Sequence, residues 1–352
     1  MISLEKAQRR LFTGLVRPDG YEASARVVRA KAWGRVCGVA IVLAGVAAPV
    51  PSEAGTIDVP MRRGQATTPV AAPDSTWGEA ASAAATVLRE IEVLRVELGV
   101  GDEPPEAELQ LDRLPAHVYV KSLEVMAKVA SVQRRFGVPT GSSREMPLTE
   151  PSAVDVLASV TDILDGIRAI KSQMIIETEV DPAVLSGFPT LSGVYKNLAD
   201  SSYLLDGLIG YPLNSGDVFG NTSAIVEELS LIGTKLQVVL DTETPEVDAP
   251  KRTIDIAQQL LRAIYKTVSL QGRLGMEASM VPTLTMVRVT PTETYDLSGL
   301  LWTEVSRIKW HLGVNVPVVL DQPPARSNRT DLFAQTLLII RNLDQLTAGA
   351  GS

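Results

Sequence analysis

Cysteine is almost absent from this sequence: Cys37 is the only one in 352 residues. It lies in an apolar run near the amino terminus, and the residues before it do not form a lipobox, so we expect no lipid on it. If that segment is removed on export, the mature chain contains no cysteine. Structural disulfides, thiol catalysis and cysteine metal sites would then be excluded.

Aromatic residues are also scarce, at 5% of the chain. Sheet-rich domains usually rely on Tyr, Phe and Trp, whereas Leu, Ala, Val and Glu dominate this sequence. Hydrophobic residues make up 45% and charged residues 21%, which is the composition of a folded globular protein. The composition therefore favours an all-α fold.

The motifs of the common catalytic centres are missing as well. Neither of the two histidines, His117 and His311, has a second His or an acid three or four residues away. The sequence has no Gly-x-Ser-x-Gly elbow, no Walker-type loop and no Gly-x-Gly-x-x-Gly. We therefore expect no enzyme, no cofactor and no metal site, with a carboxylate-only active site as the remaining alternative. His117 is expected to be a surface or capping residue.

Two groups of acidic residues could suggest ligands but have simpler interpretations. The stretch 243–248 lacks the alternating ligands and central Gly of a calcium loop, so we interpret it as a solvated loop. Asp162 and Asp165 are three residues apart on one predicted helix. Acids at that spacing usually form a solvent-exposed helix face, and we interpret them in that way.

The charge is unevenly distributed along the chain. The formal net charge is −8, but the segment 1–55 carries eight Lys or Arg and only four acids, so the rest of the chain has a net charge of −12. Such a surface repels phosphate backbones and anionic lipid headgroups. The sequence therefore predicts that nucleic acid is not a partner.

Residues 29–54 have the pattern of a secretory signal peptide. Three basic residues are followed by the uncharged run 36–50, and small residues at Ser52 and Ala54 fit a cleavage site. The run is shorter than the roughly 20 residues that span a bilayer core, so cleavage is favoured over a membrane anchor. We expect 1–54 to be a signal peptide with an extended n-region, and the mature chain to be periplasmic or secreted without a transmembrane span. An uncleaved amphipathic segment is the alternative.

The mature chain divides into a linker, 55–75, and a helical domain, 76–352. The linker is rich in Pro, Thr and Ala and has no periodicity. In the domain, apolar residues recur at steps of three and four, which is typical of amphipathic helices, and Gly and Pro mark the connections. About eight helices are predicted, as a helical-repeat array or two stacked bundles: 77–98, 115–136, 152–173, 190–209, 220–240, 251–274, 291–312 and 328–347.

These segments resemble one another. A Pro precedes a Tyr by four residues at Pro115 and again at Pro291, and a Gly-Val pair follows each Pro at the same distance. Helix starts about 38 residues apart are on the scale of helical repeat units. We predict an internal repeat that relates 113–173 to 289–349. Coincidence between two well-formed helices is the alternative.

Four aromatic residues are candidates for an interaction surface. Trp302 and Trp310 are eight residues apart in one predicted helix, in register with apolar neighbours, so core packing competes with a role at an interface. Tyr203 and Tyr211 flank an apolar stretch that fits either a buried helix or an exposed docking patch.

The absence of catalytic motifs and the predicted helical array point to a non-catalytic protein. We expect an exported scaffold or interaction protein of the bacterial envelope or extracellular space, which binds other proteins there or associates with itself. The alternative is a periplasmic small-molecule-binding helical bundle, acting as a sensor or carrier. A carrier should have one enclosed pocket with a few convergent polar groups, whereas a scaffold should have an exposed apolar groove and no enclosed cavity.

Overall fold

The computed structural model describes residues 75–101, 104–141, 144–185, 189–210, 213–279, 281, 289–318 and 328–350. The predicted signal peptide and nearly all of the predicted linker lie outside these residues. The described chain is all-helical and contains no strand, which confirms the predicted fold class. Its eight helices are α1 Ser75–Glu97, α2 Pro115–Arg135, α3 Ala153–Met174, α4 Leu191–Ile209, α5 Ser215–Leu236, α6 Thr253–Arg273, α7 Pro291–His311 and α8 Arg329–Gly349.

Helix α5 differs most from its predicted segment, because it begins at Ser215 and not at residue 220. Gly216 and Gly220 make its first turns look like a loop in the sequence. The helix starts earlier because Asn214 caps it: the Asn214 side chain accepts a hydrogen bond from the Gly216 amide at 2.7 Å. The Asp217 carboxylate accepts one from the Asn214 amide at 2.7 Å and completes a capping box.

Six helices end with the same backbone geometry. In each, a residue with a left-handed backbone conformation follows the last turn. The amide of the next residue then donates a hydrogen bond to the carbonyl five residues before it, as the Val138 amide does to the Gln133 carbonyl at 2.8 Å. Four of the left-handed residues are glycines, whereas Ile175 and Gln237 adopt φ values of 57° and 58° without that freedom. The left-handed residues are Gly99, Gly137, Ile175, Gln237, Gly275 and Gly313.

The helices form two four-helix bundles, α1–α4 and α5–α8. In the first, α1 and α2 each pack on both α3 and α4; in the second, α5 and α6 each pack on both α7 and α8. Within a bundle the helices run parallel, because contact partners advance together: Glu124 and Lys128 of α2 meet Ser202 and Asp206 of α4. Parallel neighbours need long return connections, and within each bundle consecutive helices are accordingly joined by a long connection, whereas only a short one joins α4 to α5.

The two bundles repeat each other. The packing order of α1–α4 recurs in α5–α8, and polar pairs recur with it, so α2 is equivalent to α6. The predicted repeat, 113–173 with 289–349, instead relates α2 to α7, which is one helix further along the chain. The equivalent pairs of the two bundles are Glu90–Lys171 with Glu228–Lys309, Lys128–Asp206 with Lys266–Asp344, and Gln133–Gly166 with Gln271–Glu304.

The bundles meet where α2 packs against α7. These two helices are antiparallel, because His117 at the start of α2 contacts Glu304 late in α7, while Lys128 contacts Thr292 at the start of α7. Four parallel helices add their dipoles, and the opposite directions of the two bundles offset that sum. All eight helices belong to one compact unit, and none of those described is long and apolar enough to cross a membrane.

Candidate functional site

A cleft of about 650 Å³ lies where the two bundles meet. Helices α2 and α3 form one wall together with the connection that follows α2, and side chains of α5 and α7 form the other. Ligand pockets are typically a few hundred to a thousand cubic ångströms. The lining side chains are Leu123, Met126, Ala127, Val129, Ala130, Gln133, Arg134, Pro139, Thr140, Arg144, Asp162, Ile163, Asp165, Asn221, Tyr295 and Trp302, with the backbones of Gly141 and Gly166.

A glycine on α3 shapes the wall of this cleft. A Cβ atom on Gly166 would lie 2.9 Å from Val129 Cγ1 and 3.2 Å from Gln133 Nε2, so α2 and α3 approach closely here only because residue 166 has no side chain. The Gln133 amide donates to the Gly166 carbonyl at 3.3 Å. In the second bundle the equivalent residue is Glu304, whose buried side chain is engaged by His117 and Arg307. The equivalent positions of the two bundles therefore differ, with a close helix contact at Gly166 and a buried carboxylate at Glu304.

The floor of the cleft is apolar with a few neutral polar groups. Val129, Ile163 and Trp302 are each less than 5% exposed. Gln133 and Asn221 are each 5% exposed, and the Asn221 amide donates to Ser298 Oγ at 3.0 Å. Buried amides of this kind can offer further hydrogen bonds to a ligand in fixed directions.

The rim of the cleft is charged. Arg144 Nε lies 2.5 Å from Asp162 Oδ2, and this bond raises the pKa of Arg144. Arg134 on α2 and Asp165 on α3 are exposed, and neither forms an ion pair among the residues that the structure describes. Arg134 donates only to Ser131 Oγ, at 2.8 Å. The predicted solvent exposure of Asp162 and Asp165 is confirmed, but both also border the cleft.

Tyr295 of α7 separates this cleft from a second, much smaller cavity of about 20 Å³ and lines both. Burial raises the pKa of Tyr295, and the nearby Glu124 carboxylate raises it further, so the hydroxyl stays protonated. The small cavity has room for about one water molecule. It is bordered by Lys121, Glu124 and Asp296.

Beside the small cavity lies a set of charged side chains, all buried except the half-buried Asp296, that we call the interface cluster: Lys121, Glu124 and Lys128 of α2, Asp206 of α4 and Asp296 of α7. Lys121 bridges the bundles, since its Nζ contacts Asp296 and lies 2.7 Å from Glu124. Lys128 is fully buried, with its Nζ 2.8 Å from Asp206 and 3.4 Å from Glu124. Removing ions from water is costly, so each must be held by partners.

Thr292 of α7 links the interface cluster to the second bundle by hydrogen bonds. Its hydroxyl accepts a hydrogen bond from Lys128 Nζ at 3.2 Å and donates one to Asp206 at 2.6 Å. Ser202 of α4 accepts from the same Nζ at 2.7 Å. The Lys128 ammonium is therefore satisfied by groups from α4 and α7 at once, which ties the position of α7 to the first bundle.

The interface cluster has three carboxyl groups for two ammonium groups. Burial raises the pKa of Asp296 well above its usual range, and the Glu124 charge adds to this effect. Burial acts against ionisation of Glu124 too, but Lys121, a hydrogen bond from Asp296 and Lys128 together hold its pKa well below its usual range. Of these two neighbouring carboxyl groups, Asp296 therefore holds its proton to a higher pH than Glu124 does.

His117 is buried at 3% exposure, so the predicted surface position is wrong, whereas the predicted capping role is confirmed. Its Nδ1 accepts a hydrogen bond from the Leu114 amide at 3.0 Å. Its Nε2 therefore carries the proton and lies 2.5 Å from Glu304 Oε1. Burial lowers the pKa of His117. Glu304 keeps its charge despite burial, because His117, Arg307 and Gln271 hold its pKa at about 2.

The predicted aromatic candidates have different environments. Trp302 is 4% exposed and borders the cleft. Trp310 is half-buried, and its indole N–H donates to the Pro147 carbonyl of the first bundle at 3.2 Å. Tyr203 is half-buried in α4, and burial raises its pKa. Tyr211 lies outside the described residues.

None of the residues of the interface cluster is predicted from the sequence as a site residue. One signal was available, because Lys121, Glu124 and Lys128 are spaced by three and four residues among valines that lie on the buried side of α2. Charges at that spacing usually form a solvated face, and their ion partners come from helices far away in sequence. No local sequence pattern indicates that Gly166 or Asn221 lines a cleft.

No protein-family model matches this chain, and neither a curated protein nor a solved structure matches it. Function must therefore be argued from the site itself. In the described ranges, no three His, Cys, Asp or Glu side chains are grouped so that they could hold a metal ion.

Proposed function

We propose that this chain is an exported, non-catalytic binding protein that holds a small molecule in the cleft between its two bundles. The observation that carries the proposal is the cleft itself, a volume of about 650 Å³ with a buried apolar floor and converging polar side chains. Of the two functions considered from the sequence, the ligand-binding bundle predicts convergent polar groups in a pocket, which this cleft has, although the cleft is open to solvent and not enclosed.

Three features of the cleft support binding. When a ligand binds, its apolar surface and that of the cleft floor are removed from water, which contributes to affinity. Gln133 and Asn221 are held by hydrogen bonds to Gly166 and Ser298, so their remaining polar atoms have fixed directions. Its walls belong to two bundles that meet chiefly through α2 and α7. Clefts between packed units are a common place for ligands.

The export part of the proposal rests on the sequence of residues 29–54, whose basic, apolar and small-residue regions follow the order of a signal peptide. A binding protein with a cleft accessible from solvent suits the envelope or the extracellular space. Fractionation of the native cells should place the chain there, with an amino terminus near Gly55.

An interaction scaffold is the second candidate. Leu109 and Leu111, both on the connection before α2, are 56% and 62% exposed, and two exposed leucines so close together can anchor a protein partner. This pair is a smaller feature than the cleft, so it supports its candidate less directly.

The test is a small-molecule binding screen of the purified mature chain, followed by calorimetry of each compound that binds. Ala130 borders the cleft on α2, and Ala130→Phe would fill it. Ala169 is exposed on α3 outside the cleft, so Ala169→Phe is the matched control. We expect Ala130→Phe to weaken binding at least about tenfold and Ala169→Phe to leave it unchanged. If every compound bound both variants equally, the cleft would not be the ligand site.

A further inference from the structure

The charges that border the cleft sum to zero. Arg134 and Arg144 supply two positive charges, and Asp162 and Asp165 supply two negative ones. A cleft for a polyanion such as a nucleotide concentrates positive charge, and a cleft for a polycation does the reverse. The balance therefore points to a ligand without a large net charge.

The four charges are not equivalent. Arg144 and Asp162 neutralise each other through a direct ion pair at 2.5 Å. Arg134 and Asp165 remain, one on each of the two helices that form the same wall, and each is exposed at the rim. Within the part of the chain that the structure describes, this cation and this carboxylate have no ionic partners. They are complementary to a ligand that carries both a carboxylate and an ammonium group.

The floor restricts the ligand further. Leu123, Met126 and Ile163 offer an apolar surface of the kind that aliphatic side chains occupy. Gln133 and Asn221 offer neutral amides, which match the donor and acceptor of a peptide group. A fatty acid would pair with the rim arginine but leave the rim aspartate beside its chain, and a sugar would leave the apolar floor uncovered.

Resting on the proposed function, we infer that the cleft binds short apolar peptides with free amino and carboxyl ends. The peptide carboxylate pairs with Arg134, its ammonium group pairs with Asp165, and its side chains and amide lie on the floor. A volume of about 650 Å³ accommodates a di- or tripeptide. Recognition of both ends makes the site selective for short peptides over longer ones, whose ends are too far apart to be held together.

The experiment measures calorimetric binding of leucyl-leucine, its N-acetyl derivative and its C-terminal amide to the mature chain. We expect the free dipeptide to bind and each blocked form to bind about three- to tenfold more weakly, because each loses one charged contact at an exposed rim. Asp165→Asn should weaken the free dipeptide but not the N-acetyl form. Arg134→Gln should weaken the free dipeptide but not the amide.

Arg135→Gln is the matched control, because Arg135 is the exposed neighbour of Arg134 on α2 and does not border the cleft. It should leave binding of all three peptides unchanged. The inference is overturned if leucyl-leucine does not bind at millimolar concentration, or if the blocked forms bind as well as the free one. A different result separates the two proposals. If no peptide binds, but other compounds bind the wild-type chain and lose their binding in Ala130→Phe, the proposed function stands and only the inferred ligand class is wrong.

Discussion

The ammonium group of Lys309 lies 2.5 Å from the carboxylate of Glu228, and both side chains are buried. The same pair recurs at the equivalent positions of the first bundle, where Lys171 lies 2.5 Å from Glu90. The two pairs differ in one respect. Arg168 Nε lies 3.6 Å from Glu90, whereas the equivalent residue beside Glu228 is Ser306, which donates a hydrogen bond at 2.7 Å.

This difference predicts unequal costs for the same substitution. Lys309→Met leaves Glu228 buried with no cation, which should destabilise the fold by about 3–5 kcal/mol. Lys171→Met should cost less, because Arg168 stays close to Glu90. Urea unfolding at neutral pH measures both free energies. Equal costs would mean that Arg168 gives no compensation; a higher cost for Lys171→Met would contradict the argument.

Two helix ends should become more stable with glycine. Ile175 and Gln237 adopt left-handed backbone conformations at exposed positions where four equivalent residues are glycines. A side chain there costs about 1–2 kcal/mol, and part of the gain from removing it is offset by the entropy of glycine in the unfolded chain. We expect Ile175→Gly and Gln237→Gly each to stabilise by roughly 0.5–1 kcal/mol in thermal or chemical unfolding.

Gly137→Ala is the converse control, since Gly137 has a φ of 70° in open space. It should destabilise by about 1 kcal/mol. A stabilising effect of Gly137→Ala, or a loss of stability in both glycine variants, would show that the left-handed geometry does not set these energies.

Asp296 should make the protein less stable as the pH rises. Its pKa is raised in the folded state, so above pH 3.8 the folded chain holds a proton that the unfolded chain has lost. Stability therefore falls from pH 3.8 up to the folded pKa of Asp296. Asp296→Asn keeps a donor toward Glu124 and removes this titration, so the variant should lose less stability over the same range. The measurement is the urea midpoint as a function of pH.

Glu124→Gln is the contrasting variant in the interface cluster. It removes the carboxylate that balances Lys121 and Lys128, so it should destabilise at every pH by more than Asp296→Asn does. If Asp296→Asn proved the more costly of the two at neutral pH, the assignment of the proton to Asp296 would be wrong.

The wall of the cleft should not tolerate a methyl group at residue 166. Gly166→Ala places Cβ 2.9 Å from Val129 Cγ1, and the overpacking should outweigh the gain in helix propensity, for a net loss of about 1 kcal/mol or more. Gly220 on α5 has no atom within 4 Å of a Cβ position, so Gly220→Ala should gain up to about 1 kcal/mol. Unfolding free energies of the two variants with the same sign would contradict this account.

The sequence by itself determined where the helices lie. Their apolar periodicity and the capping residues at their ends are local properties, so seven of the eight segments were placed within about two residues. Only α5 was misplaced at its start, where two glycines hide the Asn214 cap. The regular spacing of the helix starts within each bundle is also visible in the sequence, because each helix there is joined to the next by a return connection of similar length.

Only the tertiary structure decided which helices pack together and what their charges do. Lys121 and Asp296 are 175 residues apart, and nothing local marks either as buried or as the partner of the other. The cleft depends on the antiparallel contact between α2 and α7, and the close packing of its α2–α3 wall depends on a missing side chain at Gly166. Such features arise from the summed packing of distant segments, whereas periodicity and capping depend on neighbours only a few residues away.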